Sequence, residues 1–256
     1  MYEHEYSFWI NEKRVAEHWD ESRTAFKKQL VLHGETYRPE VLFATRPIAH
    51  DVTSVAYDDP SVAFNRSRDF CYMNRVLPAR TPLATAEGKL RGQVWWTTDV
   101  AIPILADSKP VFAAGEMMAS IGTYTWMSLT PMEFLTLRKG VQAAHDAVMI
   151  GGLGLGWLLG RVCAKESVRR VRVVDLSREL IDWFRPAIER AYPAVLDKNV
   201  EWVSDDAWNH LDCFGENTCN LMDIWPDYGD ARGDPNLRRI RQGRAPRHLW
   251  CWGEDA

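Results

Sequence analysis

The stretch Val148-Met149-Ile150-Gly151-Gly152-Leu153-Gly154-Leu155-Gly156-Trp157 constrains the fold more than any other part of the chain. An apolar, strand-forming run passes directly into a glycine-rich turn, and the residues after it, GWLLGRVCAKE, read as a helix. Glycines at Gly151, Gly152, Gly154 and Gly156 let the backbone turn sharply and let a ligand approach with no Cβ in the way. A tight strand-to-helix connection with no ligand would use the same residues.

The text beyond this turn keeps alternating. VRRVRVVDL reads as a strand, SRELIDWFRPAIERAY as a helix, NVEWVSDDA and NTCNLMDIW as strands, DPNLRRIRQG as a helix and RHLWCWG as a last short strand. Alternation of this kind predicts a parallel sheet with helices on both faces. The segment TPMEFLTLRKGVQAAH before the turn opens with a capping box, Thr130 as N-cap, Pro131 at the first helical position and Glu133 at the third. A change of character near Ser128 divides the chain into residues 1–128 and 129–256.

Three polar clusters fall where strands end, the places where such sheets bind ligands. Asp175 closes the second strand, where a carboxylate accepts hydrogen bonds from the two hydroxyls of a ribose; it is equally placed to cap the helix starting at Ser177. Val203-Ser204-Asp205-Asp206-Ala207 ends the third strand. There Asp206 can accept from the exocyclic amine of adenine while small and apolar neighbours face the ring; Asp-Asp is also ordinary capping chemistry. Asn220-Leu221-Met222-Asp223-Ile224-Trp225-Pro226-Asp227 puts Asp223 and Asp227 at the exit of the fourth strand, as acceptor-orienting or proton-accepting groups or as an exposed acidic loop. Trp225, Trp250 and Trp252 line a pocket at the strand ends or pack in the core.

Taken in this order, the four elements resemble class I S-adenosylmethionine-dependent methyltransferases, and among them the spermidine synthase-like branch. Gly152-x-Gly154-x-Gly156 is similar to the methyltransferase turn rather than to the GxGxxG of nicotinamide enzymes, and VSDDA is similar to the GDA element of that branch, with Asp206 on the adenine side. PILADSKPVFAAG resembles the hairpin-rich N-terminal β-domain of spermidine synthases. The resemblance covers roughly residues 102–252. It implies an α/β fold with a Rossmann-like, doubly wound, mostly parallel sheet, preceded by an N-terminal helix and a small β-rich region. It also implies S-adenosylmethionine as cofactor, held by Gly151, Gly152, Gly154, Gly156, Asp175, Leu176, Asp206 and Ala207, with Asp223 and Asp227 as catalytic candidates.

The sequence departs from its relatives at two motifs. MEFLTLRKG stands where spermidine synthases carry Tyr-His-Glu, which argues against polyamine transfer, and Asp223-Ile224-Trp225-Pro226 replaces the Asn/Asp-Pro-Pro-aromatic motif of amine-directed methyltransferases. Methyl transfer to a small-molecule acceptor is the leading expectation. Aminopropyl transfer from the decarboxylated cofactor, with Asp223, Asp227 and Asp230 holding a cationic amine, is the alternative within enzymes, and a non-catalytic nucleoside-binding relative is the alternative outside them. A methyltransferase sheet carries two strands beyond the fifth. The sheet is therefore expected to close with N-terminal strands, to lack that edge, or to pair with a second copy as a homodimer.

Ahead of the turn, Trp9, Val15, Trp19, Phe26 and Leu30 recur at helical spacing, predicting a helix from Tyr6 to Leu32. Residues 33–91 read as loops with short strands, including VTSVAY and FCYMNRVL. QVWWTTDVAIPILAD, KPVFAAG and SIGTYTWMSL read as strands, with Asp107-Ser108-Lys109-Pro110 as a hairpin loop.

A net charge of −4 over 256 residues gives no support to nucleic-acid binding. The five cysteines, Cys71, Cys163, Cys213, Cys219 and Cys251, show no CxxC pair or metal spacing and read as reduced, mostly buried side chains. No apolar run is long enough to span a bilayer and the N-terminus lacks a signal pattern, so a cytoplasmic protein is expected. The six arginines Arg232, Arg238, Arg239, Arg241, Arg244 and Arg247 form a basic segment that meets phosphate or an acidic partner, or is a solvated face.

Overall fold

The computed structural model describes residues 28–32, 40–49, 52, 54–56, 59, 61–64, 69–79, 83–85, 92–96, 99–113, 116–243 and 245–254. The helix expected from Tyr6 lies outside the described residues except for its last five. Those five, Lys28–Leu32, form strand β1 instead, paired in parallel with β7 (Gly92–Trp96), whose other neighbour is β6 (Leu83–Thr85). A Leu-Val-Leu run that gains a partner strand has its local helical spacing overridden by pairing.

The strands β2 (Pro47–Ala49), β3 (Ser54–Ala56), β4 (Ala63–Phe64), β5 (Phe70–Leu77), β8 (Val100–Ala113) and β9 (Glu116–Ser128) form a mixed sheet ordered β2-β5-β8-β9-β3, with β4 on β5. FCYMNRVL is strand β5 as expected. The expected hairpin loop at Asp107–Pro110 is not a loop. Strand β8 runs through it to Ala113, opposite Glu116, and the turn-forming residues are taken up by register shifts around Ala106 and Ser108. Such a bulge bends a long strand, and here it coincides with the point where β8 runs past the end of β5 at Phe70↔Asp107.

The second half of the chain follows its alternating pattern element by element. Helix α1 (Pro131–Ala143) leads to β10 (Asp146–Gly151), α2 (Trp157–Cys163), β11 (Val168–Asp175), α3 (Arg178–Ala191), the short α4 (Ala194–Asp197), β12 (Glu201–Ser204), β13 (Cys219–Met222), α5 (Pro235–Gln242) and β14 (His248–Cys251). Every pairing in this sheet is parallel, in the order β12-β11-β10-β13-β14. The chain moves outward from β10 on one side, then returns and moves outward on the other. That is a Rossmann-like, doubly wound arrangement, and its topological switch point lies between β10 and β13. Among the described residues no N-terminal strand joins this sheet.

Alternate residues of the central strands enter different cores, as period-two geometry requires. Val148, Ile150, Val171, Val173 and Leu221 pack with Leu137 of α1, Leu158 and Leu159 of α2 and Phe184 and Ile188 of α3. Met149, Val174 and Met222 pack on the opposite side with Trp225 and Leu237 of α5. Leu42, Tyr72, Leu105 and Met127 from the first half of the chain join the larger core, so the β-rich region is packed onto the α1–α2–α3 side. Complete burial of an aliphatic or aromatic side chain contributes about 1.5–3 kcal/mol, so this shared core couples the two halves strongly. Four of the five thiols are buried and Cys213 is half-buried. Among the described residues no helix is long and apolar enough to cross a membrane.

Candidate functional site

The strands of the doubly wound sheet end together, and their exits enclose a cavity of about 360 Å³, a small-molecule size. Its floor is the turn after β10. Gly152 adopts φ +89° and Gly154 φ +48°, left-handed conformations that glycine enters without strain. A Cβ on Gly152 would fall 1.9 Å from the carbonyl oxygen of Asp223, so the switch point closes only with hydrogen there. A Cβ on Gly154 would meet Sδ of Met127 at 2.4 Å, and that same sulfur accepts the Leu155 N–H at 2.9 Å. The β9 strand is thereby seated on the turn.

Both glycines line the cavity. Gly151 and Gly156 do not: Gly151 is required by Cβ of Ala207 and Sδ of Met222, and Gly156 by the Ile188 side chain. Of the four expected ligand glycines, two face the site and two pack the elements around it.

Asp175 stands at the end of β11 and lines the cavity. Its two carboxylate oxygens accept the N–H groups of Leu153 (2.9 Å) and Ser177 (2.8 Å), pinning the β10 turn to the β11 exit. The helix α3 is capped by Ser177, whose hydroxyl accepts from Leu180. Asp175 is thus not the cap, and each of its oxygens keeps a lone pair for a ligand hydroxyl. Burial raises its pKa, with the two N–H bonds opposing that shift. Leu176, next in the chain, is 78% exposed although apolar, and forms part of the cavity mouth.

At the β12 exit Asp206 accepts from Trp208 N–H and starts a short 3-10 helix, while lining the cavity beside Ala207. Its neighbour Asp205 turns to His210 at 2.9 Å and does not line the cavity.

Asp223, at the β13 exit, lines the cavity and has no side-chain hydrogen bond among the described residues; burial pushes its pKa up to about 7. Opposite it is Glu133, which sequence reasoning assigned to a helix cap alone. The Thr130 hydroxyl does accept the Glu133 N–H, completing half of the expected box. The carboxyl, however, accepts from the Ser128 backbone and turns into the cavity. Burial, and then the charge of Asp223, push its pKa up to about 8, against the Ser128 hydrogen bond. Both residues are half-buried, and negative charge on Asp223 opposes ionisation of Glu133. Asp227 is exposed and lies outside the cavity, as does Asp230, so the two expected catalytic carboxylates are not brought together.

The remaining wall is aromatic. Trp225 donates to Asp234 (3.0 Å) and meets Trp208 edge-on; Trp252 donates to the Thr136 hydroxyl (2.9 Å). Trp126, 43% exposed, leans on Phe70 at the mouth. Trp250, the third tryptophan expected here, packs on Gly140 of α1 instead. Sequence reasoning missed Glu133, Phe70, Leu105, Trp126, Met127 and Asn236. Glu133 stood in the capping box, and Leu105 in the PILADSKPVFAAG segment. The basic segment bonds to its own surroundings, with Arg241 forked onto Glu254 and Arg238 onto the Arg232 carbonyl.

The cavity is lined by Glu133, Asp175, Asp206 and Asp223, and no Lys, Arg or His among the described residues lines it. Among the described residues there is also no group of three or more His, Cys, Asp or Glu arranged for a metal ion.

No protein-family model matches the chain, and no curated protein does. Among solved structures it is similar to a spermidine synthase in complex with the transition state analogue AdoDATO and to the spermidine synthase from Thermotoga maritima. Each likeness has 15% identity and a TM-score of 0.30, and covers 48% of this chain and 42% of the other. The chain thus spans less than half the length of the structures it matches.

Proposed function

We propose that the cavity binds S-adenosylmethionine or a close relative and that the protein is a transferase moving an alkyl group from the sulfonium to a small-molecule acceptor. One observation carries this reading: nucleoside-type and acid–base-type groups converge on one cavity at the topological switch point. Asp175 offers oxygens to ribose hydroxyls, Leu176 and Ala207 offer apolar surface to a purine, and Asp206 accepts from its amine. Glu133 and Asp223 line the same cavity, the Asp223 backbone lying against Gly152 of the glycine turn.

Charge separates this from other adenosine ligands. A dinucleotide would bring a pyrophosphate into a cavity walled by four carboxylates with no described cationic side chain. A sulfonium bearing an ammonium brings positive charge instead. Methyl transfer is the first reading. The second, aminopropyl transfer from the decarboxylated cofactor, is favoured by the same lack of a described cation to pair with the methionine carboxylate.

The bound sulfonium supplies an activated carbon and a thioether leaving group. The protein's residues have the remaining tasks: aligning the acceptor, excluding water with the tryptophan wall and accepting the proton the acceptor sheds. Asp223 and Glu133, held near neutral pH by burial, suit that last task, because a base works best when its pKa lies near the operating pH.

Calorimetric titration with S-adenosylmethionine, its decarboxylated form, S-adenosylhomocysteine and NAD tests the proposal. Binding of the first three without NAD is expected, weakened at least ~10-fold in both Asp175→Ala and Asp206→Ala, roughly the loss of one or two good hydrogen bonds. Thermal unfolding of both variants separates loss of the site from loss of the fold. Failure of all adenosyl ligands to bind the folded parent refutes it.

A further inference from the structure

The sheet order gives the cavity two ends. Asp175 and Asp206, the nucleoside contacts of the proposed reading, leave β11 and β12 on one side of the glycine turn. On the other side β13 and β14 lead into Trp225 and Trp252, which line the same cavity. A further wall comes from outside the doubly wound sheet. Phe70 opens β5, and Trp126 and Met127 lie near the end of β9. The Met127 sulfur, accepting the Leu155 N–H, seats this wall on the turn.

These walls offer rings more than polar groups. Trp225 and Trp252 commit their indole N–H groups to Asp234 (3.0 Å) and the Thr136 hydroxyl (2.9 Å), so ring surface is what each has left for a ligand. Trp126 is 43% exposed at the mouth, and Phe70 meets it edge-on with centroids 6.3 Å apart. An indole this open beside a cavity is apolar area that a bound molecule can remove from water. An anionic molecule would meet the carboxylates of the lining with no described cationic side chain to pair with. A flexible aliphatic amine would give up hydration against rings that form no hydrogen bond to it. A flat, uncharged ring matches what the walls present.

We infer that the acceptor is a planar, uncharged aromatic molecule, bound against Trp126 and Phe70 of the β-rich half and Trp252 of the β14 exit. This rests on the proposed adenosyl-ligand reading and adds to it an acceptor class and a task for the β-rich half. The doubly wound sheet holds the nucleoside, and the sheet packed onto it selects what receives the group. Ring-on-ring contact adds a factor of about 2–10 in affinity beyond burial of the same area, so the site distinguishes an aromatic ring from a saturated one of equal size. Trp126 carries most of that selection, because it belongs to the acceptor wall and touches neither Asp175 nor Asp206 in any hydrogen bond among the described residues.

The experiment titrates the full chain, saturated with S-adenosylhomocysteine, with four probes followed by NMR. 4-Methylphenol is flat and uncharged, 4-methylcyclohexanol has the same skeleton without the ring electrons, 4-methylbenzoate adds a negative charge and putrescine is an aliphatic cation. The expected result is tightest binding of 4-methylphenol, with 4-methylcyclohexanol at least ~3-fold weaker and the two charged probes at least ~10-fold weaker. Trp126→Ala is expected to weaken 4-methylphenol at least ~10-fold and to leave S-adenosylhomocysteine within ~2-fold of the parent, which also shows the variant to be folded. Equal affinity for the ring and its saturated counterpart, tighter binding of putrescine or 4-methylbenzoate, or 4-methylphenol binding unchanged in Trp126→Ala overturns the inference and leaves the adenosyl reading standing. Failure of S-adenosylhomocysteine to bind the parent overturns that reading and the inference with it.

Discussion

Gly152→Ala should be the most damaging single methyl group that can be added near the cavity. Two effects combine. At φ +89° an L side chain sits in the left-handed region, which costs about 1–2 kcal/mol. The new Cβ would also lie 1.9 Å from the Asp223 carbonyl oxygen and 2.8 Å from its carbon, where ordinary contact begins at 3.4 Å. Neither strand exit can yield freely. Gly152 N–H is bonded to Val174 at 2.8 Å, and Asp223 N–H to Gly151 at 2.8 Å. Forcing backbone apart in a packed region adds about 1–3 kcal/mol, for a total of roughly 2–5 kcal/mol. Gly215→Ala is the control, because Gly215 has φ +103° but no atom within 4 Å of where its methyl would stand, leaving only the conformational cost. Urea unfolding of the three proteins, with equal m-values, should place Gly152→Ala about 1–3 kcal/mol below Gly215→Ala. Equal losses would refute the claim that β10 and β13 approach too closely for any Cβ.

Ligand-free stability should respond to pH through the buried pair. Both carboxyls have folded pKa values above their ordinary 4.5 and 3.8, so the folded chain keeps protons that the unfolded chain has lost. Stability is then highest on the acid side of this window and falls as pH rises through about 7 and 8. Glu133→Gln, which mimics the protonated acid, should match the parent near pH ~5 and exceed it by about 1–3 kcal/mol near pH ~9; urea midpoints across pH check this, and equal stability at both ends would contradict it. Trp252→Phe removes the buried bond to Thr136 and should cost about 1–2 kcal/mol in the same assay. Asp223→Asn should abolish transfer or ammonium-ligand binding while Asp227→Asn, altering an exposed residue outside the cavity, should leave both within ~2-fold of the parent in a titration.

The α/β half of the fold was legible because its signals are local. The strand–glycine–helix passage, the Thr130 cap of α1 and the alternation of apolar strands with amphipathic helices depend on neighbours in sequence. The same locality made the gathering of Asp175, Asp206 and Asp223 around one cavity legible, since strand ends of a parallel sheet share one edge. Long-range pairing was not legible. Lys28–Leu32 is a strand only because β7 lies beside it, and Asp107–Pro110 is a bulge only because β8 continues past β5. Gly151 and Gly156 carry the look of ligand glycines, yet the atoms that demand them belong to Ala207, Met222 and Ile188. Asp227 follows Asp223 closely in sequence and leaves it in space. Glu133 satisfies a capping pattern with its backbone and uses its carboxyl elsewhere, a division that sequence spacing does not encode.

The central claim is that the strand-exit cavity is an adenosyl site, and a crystal structure with S-adenosylhomocysteine tests it most directly. Ribose hydroxyls are expected on the Asp175 carboxylate, the purine against Leu176 and Ala207 with its amine toward Asp206, and the sulfur side facing Glu133 and Asp223. An empty cavity at saturating ligand, or the nucleoside bound elsewhere, would contradict the claim.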